Sequence, residues 1–186
     1  DSLKKMQAAL AGQKIQNPLK CKYTLRKVPC WAERVAAEQI NFEWPTQAML
    51  DQMPPGVSLK SLHFKCCDVI SSVKCTLTNG IESPVFEDTQ YRHIKPKTIE
   101  FDPQRPVRAV SSYDNNGQWD GIAELRFLDG AGSELYSYNC DDYDEEPKTV
   151  HAIGENEELI GVYGVIDVAY AFFSTFGFIV KVKQPE

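Results

Sequence analysis

The sequence predicts an all-β fold made of three copies of one strand-rich unit, and three observations carry that expectation. First, Pro-Lys-Thr occurs twice, 51 residues apart, and each copy opens the same pattern. Pro96-Lys97-Thr98-Ile99-Glu100-Phe101 leads to Val107-Arg108-Ala109-Val110; Pro147-Lys148-Thr149-Val150-His151-Ala152 leads to Leu159-Ile160-Gly161-Val162. Ile122-Ala123-Glu124-Leu125-Arg126-Phe127 matches Phe173-Ser174-Thr175-Phe176-Gly177-Phe178 at the same offset of 51, and Ile70 to Cys75 precedes Ile122 by 52. Leu59-Lys60-Ser61-Leu62 resembles Val107 to Val110. Second, beyond residue 56 short runs of Val, Ile, Leu, Phe and Tyr alternate with turn residues. Third, Asn79-Gly80, Asn115-Asn116-Gly117 and Asp129-Gly130 are turn-formers, because Asn, Asp and Gly tolerate positive φ. Strands at this spacing suit a sandwich, a barrel or a prism. A repeat of this length is a unit that buries its apolar face only by stacking on its neighbours. Function is then expected in the loops that differ among the copies.

Taken in order, the chain starts at Asp1 rather than Met, which suggests a piece of a longer precursor. Residues 2–12 read as a helix: Leu3, Met6 and Leu10 fall on one face, Ser2 is a suitable N-cap, and Gly12 with Asn17-Pro18 ends it. A second helix is expected over 31–41, from Trp31 to Asn41, and a short third from Thr46 to Met53 with Pro45 ahead of its start. Pro54-Pro55-Gly56 is the clearest break. It divides a basic, partly helical extension, 1–56, from a β domain with three internal repeats, 57–186. Leu159 to Val180 is 22 residues with one charge, Asp167, long enough to cross a membrane as a helix. Gly161, Gly164 and Gly177 interrupt it, β-branched and aromatic residues dominate it, and its ends match strands of the other copies, so no membrane span is expected.

The net charge of −6 is unevenly spread. In residues 1–35, Lys4, Lys5, Lys14, Lys20, Lys22, Arg26, Lys27 and Arg34 face only Asp1 and Glu33, so this arm is +6 and the remainder −12. The plain expectation is a solvated arm resting on its own acidic domain; the sharper one is contact with an acidic partner. The arm lacks a repeated aromatic–basic motif, so nucleic acid is not expected. The acidic stretch Asp141 to Glu146 reads as a solvated loop without the spacing of a calcium loop. Six cysteines, at 21, 30, 66, 67, 75 and 140, form no CxxC pair and no zinc spacing. Cys75 occupies the place that Phe127 and Phe178 hold in the other copies, so it is expected to be a small buried hydrophobe rather than half of a bridge.

The repeat unit, with Ile122 to Phe127 before Gly130-Ala131-Gly132, Glu155 to Gly164, and Phe176-Gly177-Phe178-Ile179-Val180, resembles the jacalin-like lectin family over residues 57–186. The resemblance implies a three-sheet β-prism of Greek keys. It also implies a sugar site of the form Gly-x-x-x-Asp, the Asp lying just before the closing strand. In the third copy that place falls near Phe172 and Phe173, which cannot accept a hydrogen bond from a hydroxyl, so the usual site looks lost. The second copy keeps Gly117, Trp119 and Asp120, one residue shorter than the pattern. A carboxylate accepts from two hydroxyls, and an aromatic ring stacks on the apolar face of a pyranose. The bland alternative is that Asp120 ends a turn and Trp119 packs inward.

No nucleophile elbow, phosphate loop, HExxH or Rossmann fingerprint occurs, so no enzymatic activity, cofactor or metal is expected. His63 and His151 read as outward positions on strands. The expected function is a non-catalytic binding or assembly module in a larger complex. Leu3, Met6, Leu10 and Trp31 of the extension, with Phe172 and Phe173, would be its protein contacts. The contrasting expectation is a carbohydrate-binding lectin with its site in the Tyr113–Gly121 loop.

Overall fold

The computed structural model describes residues 23–32, 38–90, 92–114, 121–140, 149–170 and 172–185. In chain order these form β1 (Tyr23–Ala32), β2 (Gln39–Trp44), α1 (Gln47–Asp51), β3 (Leu59–Cys67), β4 (Val69–Leu77), β5 (Ile94–Glu100), β6 (Ala109–Asp114), β7 (Ile122–Leu128), β8 (Glu134–Asn139), β9 (Thr149–Ala152), β10 (Glu157–Asp167) and β11 (Phe172–Lys183). Three antiparallel hairpins, β3–β4, β6–β7 and β10–β11, each centre one sheet of a three-sheet β-prism. The sheets run β4-β3-β5, β8-β7-β6-β9 and β1-β11-β10-β2.

Period-two alternation puts matching positions of the copies on the same inner face. Leu62 pairs with Cys75, Val110 with Phe127 and Val162 with Phe178, and all six are buried. Leu125 and Phe176 are fully buried, as the repeat predicts. Two of the sheets meet in an aromatic cluster: the Phe178 ring lies edge-on to Phe127 and Phe176 at 5.4 Å from each. The Cys75 thiol fills the place of a third ring, and burial pushes its pKa up to about 12.

Three expectations are corrected. Residues 31–41 are not a helix where they are described: Trp31 and Ala32 end β1, and Gln39 to Asn41 open β2. Pairing partners override the helix-forming composition of that stretch. Nor do the described residues before Pro54 lie outside the β domain. β1 pairs with β11 and β2 with β10, so the third sheet takes both its outer strands from before Pro54. Trp44 stands opposite Val162 as Ile99 stands opposite Leu62. The third copy is completed by the start of the chain. Finally, β9 is offset by one residue from the 51-residue match: His151, not Val150, faces Val110. Val150 is 55% exposed, and His151 turns inward with its Nε2 buried and no hydrogen-bond partner among the described residues. Burial first, then the nearby Arg26 charge, holds the His151 imidazole below its ordinary pKa.

The third helix does form. The Thr46 hydroxyl caps it by accepting from Met49 N at 3.2 Å. Leu159 to Val180 is a hairpin of strands, and no helix among the described residues is long and apolar enough to cross a membrane.

Candidate functional site

One end of the prism holds the β3–β4 tip, the described end of the β6–β7 connection and the β10–β11 tip. The β3–β4 tip is the single residue Asp68, at φ 74°, a left-handed conformation that Asp tolerates. The β6–β7 connection re-enters at Gly121, where a Cβ would lie 2.8 Å from the Val69 side chain; only glycine lets this strand return so close to the β3–β4 tip. The β10–β11 tip is tied by Asp167, whose carboxylate accepts from Ala169 N at 3.0 Å, and by Val168 N donating to Glu38 O at 3.1 Å.

The residues expected to bind fall differently. Gly117, Trp119 and Asp120 lie outside the described residues, as do Leu3, Met6, Leu10 and the loop Asp141 to Glu146. The residues that flank the Gly117–Asp120 loop on either side, Tyr113 and Gly121, are both packed. Tyr113 is buried under the Arg126 guanidinium, 4.7 Å from its ring centre, and Arg126 is held by Glu124 at 2.8 Å. Gly121 is packed on Val69. Trp31 is opposite Phe176 in the β1–β11 ladder. Phe173 is core, 2% exposed and stacked on Phe176 at 5.1 Å, so it has no face left for a partner. Phe172 is buried too; the aromatic ring this hairpin does expose is Tyr170, 56% accessible and 5.7 Å from Phe172. Sequence reading passed over Tyr170, although it stands 51 residues after Trp119, the offset that relates the second and third copies.

Sequence reading also missed a polar network under the β3–β4 tip. The Ser71 hydroxyl is 2.8 Å from His93 Nδ1, and His93 Nε2 is 2.5 Å from the Asp88 carbonyl. A Ser beside a His is the start of a nucleophile–base pair, but Ser71 is 1% exposed and no substrate reaches its hydroxyl. Burial raises the neighbouring Cys67 thiol, the opposite of what a nucleophile needs. The network pins the segment before β5 onto β4. No cluster of metal-ligating side chains occurs among the described residues.

The opposite end holds a cavity of about 680 Å³ whose lining includes Phe101, Val107 and Leu159. Its rim mixes signs. Glu157 is paired with Arg26 at 2.5 Å and Glu158 with the buried Lys181 at 3.3 Å, so no single charge dominates it.

No protein-family model and no curated protein matches this sequence. Solved structures do match. A lamprey immune protein superposes with TM-score 0.56 at 16% identity, over 85% of this chain and 44% of that one. A mannose-binding jacalin-related lectin from Ananas comosus gives 0.53 at 15% identity, over 84% and 96% of the two chains. A mannose-specific jacalin-related lectin from Morus nigra gives 0.55 at 17% identity, over 86% and 96%. The fold is that of the jacalin-related lectins. The chain spans under half the length of the lamprey protein and nearly the whole of each jacalin-related lectin. Within the jacalin-related fold, β1 and β2 belong to the prism rather than to an appendage.

Proposed function

We propose that this chain is a non-catalytic carbohydrate-binding module whose site is the Tyr113–Gly121 loop at the hairpin end of the prism. The observation that carries the reading is the superposition on jacalin-related lectins that bind mannose, over more than four-fifths of the chain. The loop supports it chemically: it joins Gly117, Trp119 and Asp120 between two anchored ends. A rigid scaffold under a short polar loop binds sugar without a large ordering cost. Asp120 would accept from two hydroxyls while Trp119 stacks on the ring. An assembly role through the N-terminal arm is the weaker reading, because Tyr23 to Ala32 is already committed to β11.

The test is a titration of monosaccharides, mannose first, followed by Trp fluorescence and NMR. Millimolar binding is expected. Asp120→Ala should weaken it at least tenfold with the fold intact, since a hydrogen bond to a charged group contributes about 1.5–3 kcal/mol. No response to any sugar at millimolar concentration, or an undiminished response in the variant, removes this site.

A further inference from the structure

The outer face of the sheet β4-β3-β5 carries a charge pattern at odds with the chain's net −6. Register sets Lys74, His63 and Thr98 side by side across β4, β3 and β5, and sets Lys65 beside Ser72 in the next row. With Val85 and Pro96 these residues line a dish of about 220 Å³. Every charged side chain lining it is a lysine, Lys65, Lys74 or Lys97, and no carboxylate lines it.

The lysines are not equally committed. The Lys97 ammonium donates to the Ser137 carbonyl at 2.6 Å, across the edge toward β8. Lys74 lies 3.1 Å from Glu82, whose side chain is 54% exposed; such a pair is weak in water, and an incoming anion can displace it. Lys65 has no ion pair or hydrogen bond among the described residues. The His63 ring is fixed by Thr98, with Nδ1 2.7 Å from the Thr98 hydroxyl, which leaves Nε2 for a ligand. Val85, 48% exposed, and Pro96 give the dish apolar walls. A volume this small, below the roughly 300–1,000 Å³ of a drug-sized pocket, admits one sugar unit.

We propose that this dish is a second binding site, for the sulfate or carboxylate group of an acidic sugar unit. Lys65 and Lys74 supply the charge, His63 Nε2 contacts the anion, and Val85 and Pro96 flank the ring. Lysine suits this task as a strongly hydrated point charge that meets a multi-oxygen anion from any direction. The site is separate from the hairpin tips and rests on the glycan reading only for the ring that carries the anion.

The experiment is an NMR titration of the full chain with N-acetylglucosamine 6-sulfate, N-acetylglucosamine and inorganic sulfate, at low and high salt. The sulfated sugar is expected to shift the signals of His63, Lys65, Lys74 and Thr98. It should bind at least tenfold more tightly than the neutral sugar does there, and weaken as salt screens the lysines. Inorganic sulfate should shift the same signals more weakly. The Lys65→Ala, Lys74→Ala double variant should lose at least tenfold for the sulfated sugar and keep any mannose binding at the hairpin end. Absence of shifts at these residues, equal binding of charged and neutral sugars, or undiminished binding in the double variant would overturn the site. Inorganic sulfate binding as tightly as the sulfated sugar would overturn the sugar assignment. Mannose binding that persists through any of these failures leaves the hairpin-end reading standing, and its loss alone leaves the dish standing.

Discussion

The sheets β1-β11-β10-β2 and β4-β3-β5 face solvent in opposite ways. The first seals its outer face with its own side chains. Gly177 has no side chain, so the Tyr163 ring lies across it; Lys27 reaches over that ring at 5.0 Å and ends 3.3 Å from Glu43. The second leaves Lys65 and His63 Nε2 without partners among the described residues, around a dish. Cations that a fold pairs internally serve packing, whereas cations left unpaired around a concavity are available to a ligand. One sheet is spent on closing the prism and the other is open to a partner.

The largest break in this contrast comes from deleting residues 1–32. That removes β1 together with its fully buried Val28, bares the edge of β11 and uncovers the core residues beneath. The chain is expected to lose its cooperative urea transition, followed by circular dichroism; a domain that stays folded would return these residues to the status of an arm. Next is Gly177→Ala. The new Cβ would overlap the Val28 carbonyl oxygen and come within 2.5 Å of the Tyr163 ring, neither of which can yield cheaply. A loss of about 3 kcal/mol is expected, at the upper end of overpacking costs.

The same variant has a spectroscopic signature. Burial, helped by Cys30, pushes the Tyr163 phenol up to about 12 from an ordinary 10.0. Because the folded value lies above the unfolded one, the associated stability is complete below about pH 10 and is lost as pH rises through 12. Lifting the ring into water by Gly177→Ala should bring its ultraviolet titration back toward 10. An unchanged titration would mean that the ring does not lie on Gly177.

The smallest effects separate the two sets of lysines. Lys27→Ala should cost about 0.5–1 kcal/mol, for one exposed ion pair and one exposed cation–π contact. Lys65→Ala should leave stability within about 0.5 kcal/mol and alter only anion binding. Equal costs at the two positions would erase the distinction between a sealed and an open face.

Much of the architecture was legible in the sequence. The matches of Cys75, Phe127 and Phe178, and of Leu62, Val110 and Val162, came from repeat and alternation alone, and the three hairpins place each set at equivalent rungs. The misreadings share one cause. Residues 31–41 have a helix-forming composition, and nothing local says that their ends will be hydrogen-bonded to strands more than 120 residues away. The one-residue offset of β9 likewise depends on which residue Val110 finds opposite it. Of the proposed sites, the trio Gly117, Trp119 and Asp120 could be named from sequence because its residues fall within four positions. The dish was not, because Lys65, Lys74 and Pro96 converge only through register.

By itself, then, the sequence determined the fold class, the three hairpins and the inward face of each, because period-two patterning and turn chemistry act over a few residues. Tertiary structure alone decided that the start of the chain completes the third sheet, that Val150 faces out and His151 in, and that one sheet face is sealed while another stays open. Those outcomes are set by strand pairing and by close approach at glycine, interactions between residues far apart in the chain that no local pattern encodes.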